Sequence, residues 1–331
     1  MELNFGRVEG LPPEEQQWLQ ELKYIYDYHR SANRKKRRYY NGKVTLNEVN
    51  LGIALPAGLG KLEIGCAWGA KTVDVLAGRS MFDGFVTENG TKSEDMDQIM
   101  KRNHLIAEYN KAVKEELKYG CAFAAVSGEE DDARVRFYSP HCAAASWNAH
   151  EGRIRYGFAF EDARRDESDV TWSPEHVNFY TDTDIWELDR IGGTWYATQN
   201  PHYFGEPLMV ALIWDATNDK PFGQSRLKEP VRRLIQGYVR TVANATIGLE
   251  FATSPQKYLL GVSDEQYDML IDNKFKQYVG SILYSTNNPE TGEKPNFGQL
   301  SQGNIEPHVQ MLRMLATQYS AATGLAVTDV G

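Results

Sequence analysis

Cysteine is scarce in this chain, and what there is carries no chemical pattern. Cys66, Cys121 and Cys142 are its three thiols. No two stand in a CxxC pair, so neither a zinc ribbon nor a redox dithiol is written here, and three unpaired thiols in a reducing compartment are expected. Long apolar runs are missing as well: none approaches the ~18 residues needed to span a bilayer. No apolar h-region with a small-residue cleavage site lies near Met1. The expected protein is soluble, made in a cytoplasm, and has no membrane partner. An excess of positive charge is also lacking, since the formal net charge is −9. Tight binding of nucleic acid comes from Lys and Arg displacing counterions. The acidic balance therefore argues against a clamp on nucleic acid, though not against a wall past which DNA slides.

Catalytic signatures are equally thin. The seven histidines, His29, His104, His141, His150, His176, His202 and His308, make no HExxH and no spaced Cys/His set. Adjacent His141 and Cys142 would face opposite ways on a strand, and no metal site is expected. There is no GxSxG elbow. The acids Glu129-Glu130-Asp131-Asp132 read as a hydrated loop rather than a catalytic pair. The nearest approach to an enzyme motif is Gly65-Cys66-Ala67-Trp68-Gly69-Ala70-Lys71-Thr72. A phosphate-cradling loop needs Gly-x4-Gly-Lys-Ser/Thr, because its backbone must bend tightly to aim N–H groups at phosphate. Here Ala70 stands where the second glycine belongs, and Trp68 crowds the loop. A turn-to-helix joint is expected, and a nucleotide-binding enzyme using Gly65–Thr72 is the alternative reading. No catalytic residue and no cofactor is assigned, and the protein is expected not to be an enzyme.

What is present is a globular chain with abundant bulk. Its 331 residues suit two domains better than one core. The 18 Tyr, 13 Phe and 7 Trp supply material for cores and subunit interfaces. Prolines 12 and 13 followed by Glu14 and Glu15 begin a helix whose apolar positions are Trp18, Leu19, Leu22, Ile25 and Tyr26. It runs toward Arg34-Lys35-Lys36-Arg37-Arg38 and a turn at Asn41-Gly42. Those cations suit the negative end of a helix dipole, and they are also the candidates for contact with nucleic acid. Helical spacing marks Thr72 to Leu76 and Asp95 to Tyr119, with a looser stripe between Ile99 and Leu105. A tight turn falls at Phe82-Asp83-Gly84-Phe85.

From Gly120 the texture changes to short β-branched or aromatic runs: Ala122–Ser127, Val135–Tyr138, Ala145–Asn148, Ile154–Glu161, His176–Thr181, Ile185–Asp189 and Thr194–Thr198. Turn signals at Ser127-Gly128, Ala149–Gly152 and Gly192-Gly193 separate them, which predicts an antiparallel meander. Glu161–Asp169 reads as a solvated loop, and Leu208–Trp214 as one more extended segment. A long helix follows from Ser225, its candidate N-cap, to Ala252, about 40 Å at roughly 1.5 Å per residue. Pro230 lies inside that stretch and can mark its regular start. Glu229, Arg233, Gln236 and Arg240 share one polar stripe. After Pro255 come a strand at Tyr258–Val262, a helix capped at Ser263-Asp264-Glu265-Gln266, and a hairpin of Ser281–Ser285 with Phe297–Leu300. The last helix covers Ile305–Thr323, with Gly324 as its cap.

The residues between Pro207 and Gly331 carry the most specific pattern. Phe222-Gly223-Gln224-Ser225-Arg226-Leu227, then Arg240-Thr241, Glu250-Phe251-Ala252 and Pro255-Gln256-Lys257-Tyr258, resemble the segment that leads through the stem helix of tailed-phage portal proteins. Tyr39-Tyr40-Asn41-Gly42, Asn50 and the Phe82–Phe85 turn are similar to early landmarks of the same family. Gln299–Asn304, Met311-Leu312-Arg313 and Thr323-Gly324-Leu325 resemble its return stem helix.

The resemblance implies an α+β portal fold: a mixed α/β wing with antiparallel strands (1–224), a first stem helix (225–253), a small α/β clip (254–304) and a second stem helix (305–324). Residues 325–331 would begin a tunnel loop and crown. It further implies a homo-oligomeric ring, typically of twelve subunits, at one capsid vertex of the virion, assembled in the host cytoplasm beside scaffold and major capsid protein. Double-stranded DNA passes through such a ring without sequence preference during packaging and ejection. The large terminase and later a head-completion adaptor dock on the clip, where Asp264, Glu265, Lys274 and Lys276 are the candidate contacts. The Glu229–Arg240 stripe would face the channel or a neighbouring stem.

Overall fold

The computed structural model describes residues 3–44, 64–86, 88–90, 93–128, 133–160, 174–253, 257–260, 292, 296–299 and 304–330. After a short strand β1 (Val8–Glu9), helix α1 spans Pro13–Tyr40, starting where the proline pair predicts and closing at Asn41 and Gly42. Gly42 has φ +69°, and a side chain there would run into the Cys66 carbonyl. Strands β2 (Lys43–Val44) and β3 (Ile64–Gly65) are two residues each. Helices α2 (Trp68–Ala77), α3 (Glu94–Arg102) and α4 (Leu105–Tyr119) follow. The helix expected from Asp95 to Tyr119 is thus two helices. His104 adopts φ 51° between them, a left-handed conformation that ends regular α-helix, and Asn103 stops α3 by donating to the Ile99 carbonyl at 3.0 Å.

The strands appear close to where alternation places them. They are β4 (Cys121–Ser127), β5 (Arg134–Tyr138), β6 (Ala143–Asn148), β7 (Arg153–Ala159), β8 (His176–Tyr180), β9 (Asp184–Ile191), β10 (Thr194–Pro201) and β11 (Met209–Ile213). They do not form one meander. β6 to β10 are consecutive neighbours in a six-stranded sheet ordered β1-β10-β9-β8-β7-β6, while β11-β4-β5 make a separate three-stranded sheet. Local alternation fixes which segments are strands; which sheet each joins depends on long-range pairing that a period-2 pattern does not encode. The unpredicted β1 lies parallel to β10, with Val8 opposite Trp195. Between β9 and β10 the chain turns at Gly192 and Gly193, φ 60° and 91°. Positive φ at both central residues is what a type I′ hairpin needs, and glycine supplies it without strain.

Helix α1 lies across the larger sheet. Its Leu19, Leu22 and Tyr26 join Phe158, Phe179, Leu188 and Trp195 in one buried cluster. Each such side chain contributes about 1.5–3 kcal/mol by leaving water, so this layer outweighs any exposed ion pair, worth about 1 kcal/mol at most. A second cluster, with Phe123, Tyr138, Ile154, Tyr180 and Met209, joins the two sheets. They meet at Gly157, where an added Cβ would stand 2.6 Å from the Met209 sulfur.

Beyond β11 come α5 (Glu229–Thr253), β12 (Lys257–Leu260), β13 (Asn296–Gln299), α6 (Glu306–Thr323) and a last turn of helix, α7 (Val327–Val330). β12 and β13 pair antiparallel, Tyr258 opposite Gly298. Phe297 sits opposite Leu259; residues 281–285, expected to form a hairpin with 297–300, and the helix from Ser263 lie outside the described residues, as does the loop 161–169. The chain divides into two compact units, Met1–Val44 with Gly65–Ile235 and Tyr319–Val330, and Thr45–Ile64 with Gln236–Gln318 and Gly331. No described helix is long and apolar enough to cross a membrane.

Candidate functional site

The start of α5 and the end of α6 are brought together in the first unit by Arg226. Its guanidinium donates from Nε to the Thr72 carbonyl at 3.0 Å and from Nη2 to the Thr323 carbonyl at 2.6 Å. The same group lies 5.7 Å from the Trp214 ring centre, and the Arg226 main-chain N–H donates to the Leu117 carbonyl at 2.9 Å. One side chain therefore ties α2, the last turn of α6 and the segment after β11. Charge-assisted bonds of this kind are stronger than neutral ones. Burial pulls the arginine pKa below its ordinary value.

Next to it sits Tyr319, fully buried near the end of α6. Its hydroxyl donates to the Trp68 carbonyl at 2.8 Å and hydrogen-bonds the Thr72 hydroxyl. The Trp68 and Tyr319 rings are 4.6 Å apart, and the indole N–H of Trp68 donates to the Val330 carbonyl at 2.9 Å. The Gly65–Thr72 loop is thus a packing joint. Thr72, where a nucleotide-binding loop would hold a metal-ligating hydroxyl, is 1% exposed and engaged. Gly69 is pressed on α1, since a Cβ there would stand 2.2 Å from the Tyr39 carbonyl oxygen. That contact explains the glycine without any phosphate.

Helix α5 begins at Glu229, four residues later than expected, with Pro230 in its first turn. Extending the helix back to Ser225 would drive the proline ring into the carbonyl of Arg226. Ser225 is not the cap: its hydroxyl donates to the Lys118 carbonyl and accepts the Leu227 N–H at 3.0 Å. Val231, Ile235, Val239 and Ala243 are buried at four-residue spacing. Within the second unit, α5 and α6 touch where Gly237 lies beneath Leu315; a Cβ at 237 would stand 3.3 Å from Leu315 Cδ2. Absence of a side chain there lets the two helices approach closely.

Of the expected stripe, Glu229 and Arg233 form an exposed i, i+4 ion pair at 2.7 Å. The hydrogen bond from Arg233 holds the Glu229 carboxyl below the usual carboxylate range. Arg240 is exposed and Gln236 half-buried. The clip candidates Asp264, Glu265, Lys274 and Lys276 lie outside the described residues. The basic run Arg34–Arg38 forms the end of α1, and its members do not behave alike. Lys35 is exposed, whereas Lys36 turns inward and donates to the Tyr119 carbonyl at 2.8 Å. Burial lowers the Lys36 pKa to about 8.

Sequence reasoning missed Arg226 and Tyr319 as the joint between the helix ends. The available signal was the coincidence of a glycine-interrupted Trp-Gly-x-x-Thr with a tyrosine one turn before a helix-capping glycine. Neither half has a period that reveals the other.

The pattern of the family described as phage portal protein, SPP1 Gp6-like matches residues 19–213. That is 195 positions (213 − 19 + 1) of 331, more than half of the chain. The chain belongs to the SPP1 Gp6-like phage portal family. For this portal-family chain the match runs from α1 through β11 and ends before α5. Among solved structures it is similar to a chain of the neck of an empty GTA particle computed with C6 symmetry, at 11% identity and TM-score 0.47. It is likewise similar to a chain of the neck of a native GTA particle computed with C12 symmetry, at 11% identity and TM-score 0.45. In both cases 80% of this chain is covered and 66% of the other. No curated protein sequence matches.

Proposed function

We infer that this chain is the subunit of a portal ring, a conduit for double-stranded DNA rather than a catalyst. Membership in the portal family carries the reading. The joint at Arg226 supports it, because the chain leaves along α5 and returns along α6 to the same place. On this reading residues 1–224 are the wing, α5 and α6 the stem helices, and 254–304 the clip. Twelve copies close through heterologous contacts, in which each subunit offers two different faces. The ring sits at one vertex of the virion, assembles in the host cytoplasm with scaffold and major capsid protein, and presents its clip to the large terminase and then to a head-completion adaptor.

A net charge of −9 suits a low-friction wall, since clustered cations would hold phosphates. Arg233 and Arg240 stand at stem or channel surfaces, and the Glu229–Arg233 pair presents a mixed rather than a basic face. Electron microscopy of the purified protein tests the reading directly: closed rings are expected, and a protein that stays monomeric at every concentration overturns it. Reversing Arg233 and Arg240 to Glu together leaves the monomer's unfolding midpoint unchanged and lowers DNA packaging or ring closure. Unchanged phage yield removes those two residues from the channel.

A further inference from the structure

A cavity of about 140 Å³ lies between α1, the start of β4, β6 and the segment that precedes α5. Ile25, Phe123, Ala144 and Phe222 give it apolar walls, and the Phe123 and Phe222 rings meet edge to face at 5.9 Å. Along α1 it is lined by Tyr26, His29, Asn33 and Lys36. Steps of three and four keep these on one helix face, so that wall runs about 15 Å at roughly 1.5 Å per residue. All the lining residues belong to the first compact unit.

The charge in this cavity has one sign. Lys36 is the strongly basic group of the lining, and no Asp or Glu stands among the lining residues. Its ammonium donates to the Tyr119 carbonyl at 2.8 Å and to Asn33 Oδ1 at 3.4 Å. Both acceptors are neutral oxygens. An ammonium has three hydrogens, so these bonds leave it one more to give to an acceptor held in the cavity. Burial pulls the Lys36 pKa down to about 8, and Arg232 on α5 pushes in the same direction. Burial raises the Cys121 thiol and lowers His29, so both stay neutral near pH 7. Glu116 acts on Cys121 but does not line the cavity. A cation removed from water and held only by neutral oxygens gains from a paired anion.

We propose that this cavity binds a small aliphatic carboxylate, its chain against the apolar walls and its carboxylate on the Lys36 ammonium. About six carbons suit the volume, since a cavity of about 150 Å³ holds one benzene ring. The length of the α1 wall favours an extended chain over a ring. Charge-assisted bonding at one point and apolar contact elsewhere is the usual division of labour in small-ligand sites. Because the walls come from one unit, a monomer would bind as well as a ring.

Isothermal titration calorimetry of the full chain with sodium hexanoate at pH 7 tests this. Saturable binding with Kd below about 1 mM is expected, and 1-hexanol and hexylammonium should bind at least about tenfold more weakly. Lys36→Met keeps the stem and removes the charge. It should weaken hexanoate by about tenfold or more and change 1-hexanol by less than about threefold. At pH 8, where the free ammonium is half protonated, hexanoate should take up about half a proton on binding, read from heats in two buffers of different ionisation enthalpy. Lys36→Met should take up none. Ala144→Leu fills part of the cavity and should abolish binding; if that variant does not fold, Lys36→Met and the proton uptake still decide. No saturation by about 20 mM, equal affinity for 1-hexanol, no proton uptake, or binding unchanged in Lys36→Met or in folded Ala144→Leu overturns the proposal.

Discussion

Replacing Arg226 by alanine tests whether the helix ends are held by one side chain. The substitution removes two charge-assisted hydrogen bonds, to Thr72 and Thr323. Bonds from a charged group each contribute about 1.5–3 kcal/mol, so the pair sets an upper bound of about 3–6 kcal/mol. The guanidinium is only partly buried, and water can reach part of the vacated space. The expected loss is therefore about 2–4 kcal/mol. It should be local, appearing first where α6 ends. Native-state hydrogen exchange reads it directly at the Gly324 amide, which donates to the Ser320 carbonyl. A local loss of that size raises exchange by roughly 30- to 1000-fold. Arg226→Lys keeps the charge but not the fork that reaches both carbonyls, so it should fall between alanine and the native residue. A loss under about 0.5 kcal/mol in Arg226→Ala, the range of ordinary surface changes, refutes the reasoning.

Two further perturbations separate packing from electrostatics. Gly69→Ala places a methyl 2.2 Å from a main-chain oxygen of α1 that cannot swing aside, whereas Gly65→Ala meets nothing within 4 Å. Urea midpoints should show a loss of about 1–3 kcal/mol or more for the first and little for the second, and calorimetry should show no ATP binding to either or to the native chain; equal midpoints contradict the packing joint. Lys36, with its pKa lowered by burial to about 8, holds its proton less readily in the fold than in the unfolded chain. Below pH 8 the folded state carries the full cost of the buried charge; between about pH 8 and 10.5 it loses its proton before the unfolded chain does, so stability rises with pH by at most about 3 kcal/mol. The difference in unfolding free energy between the native chain and Lys36→Met should climb across that window, and parallel pH profiles refute the assignment.

The sequence made the local structure largely readable. α1 announces itself through prolines and acids at one end and Asn-Gly at the other, and α6 through its capping Gly324. β8 and β9 alternate because one face of their sheet is covered by α1 and the other is partly open, whereas β6 and β7 are buried on both faces, against α1 and against the second sheet. What could not be read is non-local. β4 and β5 read like the meander strands, but β5 pairs with β4, and β4 pairs with β11, some 80 residues later in the chain. The Thr72–Tyr319 bond spans 247 positions, and no local rule connects two such residues. Ser225 looked like a cap because serine before an apolar stripe is a common helix start, yet Pro230 decides where the helix can begin. In Lys36 the lesson is sharper: five consecutive cations look interchangeable in a sequence, and a helix turns one of them inward every three or four residues.

The side chain at the end of α3 that holds β5, with Asn103 Oδ1 accepting the Val135 N–H and Nδ2 donating to the Ala133 carbonyl, both at 3.0 Å, has a chemical vulnerability of its own. Asn103 succeeds because an amide presents a donor and an acceptor from a single flat group. Deamidation to aspartate would leave the same shape but exchange the donor for a second oxygen and add one negative charge, set against the Ala133 carbonyl. Repulsion would then push the side chain away, and an ageing protein would lose the link between the end of α3 and β5 that a freshly made one has.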